Sequence, residues 1–344
     1  MKNRLLYFLI GLAVCPLAAR QPDSPGLKLI QTIPLPSVPG RFDHFILDSK
    51  HQHLFVTAQG NKTVVVVDLK AGKVIHTIPG FVSPHAGYYR GDTDELLVGD
   101  DDGTGKVFRG DSFEPVKTIK LTLENSDGLR LDPKTKLIYV ANAYKEDKAK
   151  VNYSYLSIID TQTWEHKGDI KFMGTHIEEI GLEPGGSRLF VATVSRHEIA
   201  VIDRDKRTQL GAWPVPVEGA PFGVVFDAAY NRLLVGLRQP GTFVVMNADT
   251  GNLVTSLPIK DGMDDMFYDS ARRQIYISSG AEGSTEGFVD VIKQIDANHY
   301  VLKGTVPTGG ASATSLFVPE LKRLFVGVEQ HGDKDAEIRI YAPE

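Results

Sequence analysis

The sequence predicts an all-β protein, a seven-bladed propeller with four antiparallel strands per blade. Three observations carry the prediction. One strand pattern recurs seven times at intervals of 42 to 51 residues, the period of propeller blades. No helical period of ten residues interrupts the series. The last copy lacks its fourth strand, and a matching strand stands alone at the other end of the chain.

The first copy shows the unit whole. Phe42-Asp43-His44-Phe45-Ile46-Leu47-Asp48 leads to Leu54-Phe55-Val56-Thr57-Ala58, then Val64-Val65-Val66-Val67-Asp68, then Val74-Ile75-His76-Thr77-Ile78. Aligned on Asp48, the counterparts are Arg90, Asp132, Glu183, Asp227, Asp269 and Val318. The second strands then read Leu96-Leu97-Val98, Ile138-Tyr139-Val140, Leu189-Phe190-Val191, Leu233-Leu234-Val235, Ile275-Tyr276-Ile277 and Leu324-Phe325-Val326. Gly, Asn and Asp fill the turns, as in Gly60-Asn61 and Gly251-Asn252; these residues tolerate positive φ. The seventh copy stops at Ile338-Arg339-Ile340-Tyr341, while Leu29-Ile30-Gln31-Thr32-Ile33-Pro34 matches Val74-Ile75-His76-Thr77-Ile78-Pro79. The N-terminal strand is therefore expected to complete the last blade and close the ring, which leaves only short edges.

Phe55-Val56-Thr57-Ala58, Tyr139-Val140-Ala141-Asn142 and Phe190-Val191-Ala192-Thr193, each before a Val-rich strand, resemble the repeats of YVTN-repeat propellers. The resemblance spans residues 27–344 and implies the fold; the family hosts several roles, so it implies no single activity. The Gly-His…Trp-Asp signature of WD40 blades is absent. Trp164 and Trp213 are the only tryptophans, too few for the docking repeats of quinoprotein dehydrogenases.

Residues 1–19 read as a signal peptide: Lys2 and Arg4, an apolar run from Leu5 to Val14, then Pro16-Leu17-Ala18-Ala19. The run is too short to span a membrane. Residues 20–26 form a short linker and 27–344 the propeller. A periplasmic or secreted monomer is expected. Cys15 is the only cysteine, and Leu12-Ala13-Val14-Cys15 partly resembles a lipoprotein signal, so a lipid anchor at Cys15 competes with cleavage near Ala19. Without Cys15 the chain has no disulfide, Cys-ligated zinc, iron–sulfur cluster or thiol nucleophile. Residues 1–19 carry two bases and no acid, so their loss takes the formal charge from −5 to −7. That balance argues against a nucleic-acid partner.

The first strand of each blade borders the axis, and its start gathers at one channel mouth. Five residues before the Asp48 register stand Asp43, His85, Asp127, Glu178, Phe222, Asp264 and Ala313. One residue on come His44, Glu179 and Asp265; further upstream lie Arg41, Asn125 and His176. Successive strand residues point oppositely, so the first set is expected to face the axis. Clustered carboxylates call for a compensating cation. Asp43, Asp127, Glu178 and Asp264, with His85, are thus candidate ligands for a divalent metal such as Ca²⁺ or Mg²⁺. Arg41, His44, His176, Glu179 and Asp265 are candidate ligand-binding residues. The leading expectation is a binding or scaffold propeller, taking a cation or small polar ligand at this mouth or a protein partner on a face. The alternative is a metal-dependent hydrolase of lactonase type, with His44 or His85 as proton acceptor. A hydrated channel without a ligand explains the same residues. Asp100-Asp101-Asp102-Gly103 lacks EF-hand spacing and reads as a solvated hairpin, and extra residues lengthen the segments 145–154, 281–287 and 330–336.

Intact-mass measurement of the exported protein is expected to give a chain beginning at Arg20. A species beginning at an acylated Cys15 would instead make it a lipoprotein.

Overall fold

The computed structural model describes residues 25–144 and 151–344. The signal segment, Cys15 and most of the lengthened loop in blade 3 lie outside them. The described residues form seven four-stranded antiparallel sheets arranged as blades. In blade 1 the strands are Phe45–Asp48, His53–Ala58, Thr63–Asp68 and Lys73–Ile78, running from the axis outward. The inner strands of blades 2 to 7 are Pro84–Arg90, Asn125–Asp132, Ile177–Leu182, Pro221–Asp227, Met263–Asp269 and Ser315–Val318. The last blade closes as the repeats require. Its inner three strands come from the C-terminal end, and Leu27–Leu35 supplies the fourth, pairing with Ala336–Pro343 from Leu27↔Pro343 to Leu35↔Ala336.

Both faces of every blade are buried, which explains the near-continuous valine runs. Strand side chains alternate between faces, so one strand feeds two interfaces. Leu54, Val56, Val65 and Val67 pack toward blade 7 with Ile33, Leu35 and Ile338. Phe55, Val64 and Val66 pack toward blade 2 with Tyr89, Leu96 and Val98. Among the described residues the buried apolar side chains form seven such clusters, one per blade–blade interface.

The recurring acids at strand ends have a local cause. Asp48 Oδ1 accepts the amides of Lys50 and His51. Asp132, Asp227 and Asp269 accept turn amides in the same way. Asp68, Asp160 and Asp203 repeat the device after the third strand. Each carboxylate stands in for a backbone acceptor within its turn. The turns also hold non-glycine residues at positive φ, including Gln52, Lys136, Asn231 and Lys322.

One expectation is corrected. The hairpin forms and Asp102 in it is exposed, but Asp100 is not solvated: it is fully buried and accepts the amides of Val82 and Ser83 and the Lys106 ammonium at 2.5 Å. An acid there neutralises a lysine and finishes a neighbouring loop.

Ile33 is fully buried in the closing strand, whereas Ile30 is 44% exposed. Ile33→Ala is expected to cost about 2–5 kcal/mol and Ile30→Ala under about 0.5 kcal/mol. Urea unfolding checks both, and equal effects would contradict the burial of the closing strand.

Candidate functional site

The mouth is built by irregular backbone. The inner strands of blades 2 to 6 each break register near their start: between Pro84 and Gly87, Ser126 and Leu129, Ile177 and Ile180, Pro221 and Gly223, and Met263 and Met266. In blades 1 and 7 the corresponding residues precede the strand. Bulges re-aim side chains. Neighbours such as Asp264 and Asp265 therefore both join the axial cluster, contrary to the simple alternation expected. Gly60 helps seat the blade 1 segment: its amide donates to the Arg41 carbonyl at 2.9 Å, and a Cβ there would come within 2.7 Å of the Arg41 nitrogen.

His44 sits at the centre. Its Nδ1 donates to Asp265 Oδ1 at 2.9 Å, and its Nε2 lies 3.6 Å from Asp127, 3.9 Å from Asp43 and 3.9 Å from Glu179. Asp265 Oδ2 accepts the Ser315 amide at 2.7 Å, tying blade 6 to blade 7. His85 lies between two acids, with Nδ1 2.5 Å from Asp43 Oδ2 and Nε2 2.9 Å from Asp101 Oδ1. The Asp43 oxygen has this contact without a hydrogen bond of normal geometry. His176 Nε2 lies 2.7 Å from Glu178 Oε1. Arg41 donates to Asp264 Oδ2 at 3.2 Å, so it pairs with a carboxylate. By direct contact the candidate residues fall into three groups, around His44 and His85, around Glu178 and around Asp264, and the charges of Asp127 and Asp264 act on Glu178 between them.

Four members were not legible as such: Arg130, Asp101, Arg238 and Glu329. Arg130 donates to Glu179 at 3.0 Å and to the Ile180 carbonyl at 2.7 Å. Arg238 donates to the other oxygen of Asp264 and to the Met263 carbonyl. Three of the four share a position. Asp101, Arg238 and Glu329 each stand four residues after Leu97, Leu234 and Phe325, the middle residues of their second strands. The second strand runs antiparallel to the first, so its end returns to the mouth where the first begins. The repeat alignment contained that signal.

Burial and proximity set the protonation states. Burial works against the charge of His44, but Asp265 and Asp43 outweigh it and hold the imidazole well above its ordinary pKa. Burial likewise opposes the charge of His85, and Asp43 and Asp101 outweigh it. Asp43 is desolvated too, yet the two histidines hold it below the carboxylate range. Glu178 goes the other way: burial, then the charges of Asp127 and Asp264, push it up to about 8. Burial pushes Asp265 up to about 6 despite His44, and Glu329 up to about 7 despite Arg41. An imidazolium offers no lone pair, so His44 and His85 are proton donors here. The proton-acceptor role expected of them does not fit this charge state.

At the mouth a metal could be approached by two sets of atoms: Asp43, His44 and Asp127, or His44, Glu179 and Asp265. Within each set the ligand atoms lie within 4.8 Å of one another. Behind His44, Arg130, Glu179 and Asp265, the axis opens into a cavity of about 500 Å³ walled by inner-strand residues including Phe45, Leu131, Val225, Phe267 and Leu316.

No protein-family model matches the chain. Over 193 residues it is 25% identical to the uncharacterized protein YncE of Salmonella typhimurium, a match covering 54% of this chain and 51% of that protein. YncE of Salmonella typhi is 24% identical over the same length. The chain spans about half the length of these curated relatives. A solved chain of the hydrazine synthase of Kuenenia stuttgartiensis superposes with a TM-score of 0.69 at 19% identity, covering 85% of this chain and 93% of that one. A chain in the crystal structure of a mitotic checkpoint complex does so with a TM-score of 0.72 at 12% identity, covering 98% and 99%. These two speak for the fold alone.

The protonation pattern fixes a pH response. Glu178, His44 and His85 keep protons in the folded state that the unfolded chain releases, so stability falls as pH rises. For Glu178 the fall spans pH 4.5 to about 8, and for the histidines it begins near 6.5. The depressed Asp43 adds a loss as pH drops below 3.8. The thermal midpoint is expected to decline from pH 4.5 upward, more steeply above 6.5, and Glu178→Gln to flatten the decline below pH 8. A midpoint that climbs through this range would contradict the assignment.

Proposed function

We propose that this chain is an exported propeller binding protein whose axial mouth takes a small polar ligand. The observation that carries the reading is the convergence at one point of charged side chains from all seven blades, including His44, His85, Asp127, Glu179, Arg238, Asp265 and Glu329. Desolvating so many charges costs several kcal/mol per ion before pairing, and apolar residues of like volume often serve stability as well or better. A plug built only to hold the blades together has cheaper solutions. The distant YncE-like kinship is consistent with a propeller of this kind.

A second reading is favoured by one observation, the closeness of Asp43, His44 and Asp127. A Ca²⁺ or Mg²⁺ ion held by these carboxylates would polarise a lactone or ester carbonyl. Against it stand His44 and His85, whose positive charges already answer the acids; an ion taking their place has to displace their protons.

Thermal unfolding separates the readings. A ligand at about 100 times its Kd adds roughly 2.7 kcal/mol, a shift of several degrees. Among sugars, amines, amino acids and carboxylates, at least one class is expected to raise the midpoint, and His44→Gln to abolish the rise. A protein indifferent to every class would lose the binding reading. A shift with Ca²⁺, Mg²⁺, Mn²⁺ or Zn²⁺ that EDTA reverses and Asp127→Asn removes would favour the hydrolase.

A further inference from the structure

The mouth is rich in carboxylates, yet two of its more exposed side chains are guanidinium groups. The side chains of Asp264 and Glu178 are 8% and 11% exposed, whereas those of Arg41, Arg238 and His176 are 35%, 29% and 32% exposed. Arg41 donates to Asp264 Oδ2 and Arg238 to Asp264 Oδ1. One buried carboxylate thus receives two guanidinium groups; Arg41 also faces the charges of Asp43 and Asp127, whereas Asp264 is the one carboxylate paired with Arg238 among the described residues.

Arg238 is also held in place. Its Nε donates to the Met263 carbonyl at 2.9 Å, and its guanidinium lies over the Phe222 ring, 3.5 Å from the centroid. Such stacking is favourable in its own right. His176 meets the same ring edge-on at 5.7 Å. A guanidinium carries five N–H donors. Among the described residues, no protein acceptor meets Nη1 of Arg238, or Nε and Nη1 of Arg41. Two forks with spare donors, about a third open to solvent, have the geometry that receives a carboxylate. Glu329 lies beside Arg41 and accepts the Phe42 amide; it opposes a bound anion and penalises a dianion more than a monoanion.

We propose that Arg41 and Arg238, with His176 at their edge, form an anion seat, and that the ligand of the mouth presents a carboxylate to it. The proposal rests on the reading of the mouth as a binding site and names the ligand class.

Calorimetric titration and thermal unfolding of the whole protein test it, with lactate, succinate, benzoate, inorganic phosphate, choline and glucose as probes. A carboxylate is expected to bind. Arg238→Lys, which keeps the charge and loses the fork, and Arg41→Gln are each expected to weaken it at least about tenfold. Glu329→Gln, which removes a facing acid, is expected to tighten it, a gain that a merely unfolded variant cannot mimic. Carboxylate binding unchanged in both arginine variants, or choline or glucose bound in preference, would overturn the anion seat while leaving the mouth a binding site; phosphate bound in preference would overturn the carboxylate as its ligand. Binding of no probe, together with no response to the wider panel of polar solutes, would overturn both readings.

Discussion

Everything in this structure depends on closing the ring. A blade has two apolar faces and can bury neither alone; each of the seven core clusters joins side chains of two blades. The constraint is met by a division of labour in the seventh blade, whose outer strand comes from residues 27–35 and whose inner three come from the far end of the chain. The interface between blades 7 and 1 then looks like any other, with Ile33, Leu35, Ile338 and Ile340 against Phe45, Leu54 and Val65. Closure also fixes the axis. Seven strand starts are brought to one mouth only because the last interface forms.

The axial cluster follows from that geometry. Backbone that must converge is backbone that must bend, and five inner strands bend through bulges. The bulges release consecutive side chains from strict alternation and crowd acids together. The chain answers with its own cations: His44 among Asp43, Asp127, Glu179 and Asp265, His85 between Asp43 and Asp101, and Arg41 and Arg238 on Asp264. Where burial and neighbouring acids outweigh the nearby bases, a proton remains, as on Glu178. The result is a dense, nearly neutral plug that ties blades by charge as the core clusters tie them by apolar contact.

The fold was open to reading because each blade spells its own strands. Val64 to Val67 show two buried faces, and Asp48, Asp132, Asp227 and Asp269 mark turns by capturing amides. The cluster was open only in part. Asp43, His85, Asp127, Glu178 and Asp264 could be found by counting back from those turn acids. The count cannot show that bulges carry Asp265 and Glu179 to the same place. Nor does a net charge of acids and bases reveal who faces whom, so the acids suggested a missing metal while Arg238 and Arg130 went unnoticed. Asp101, Arg238 and Glu329 were within reach of the same alignment, extended to the ends of the second strands. The buried Asp100 was not read as such, since its partners stand outside its own strand, Val82 and Ser83 before the inner strand and Lys106 on the third.

The closing strand also sets how the protein bears load. Leu27 pairs with Pro343, and the amide of Glu344 donates to the carbonyl of Gly26 at 2.9 Å. Both ends of the described chain therefore leave the seventh blade side by side, at one end of the same antiparallel pair. Tension applied through them does not stretch the strands past each other, which would load every rung of the ladder together. It peels the pair open from Leu27 and Pro343 inward, one rung at a time. The seam that completes the ring in solution is, under traction, a zipper with its tab exposed.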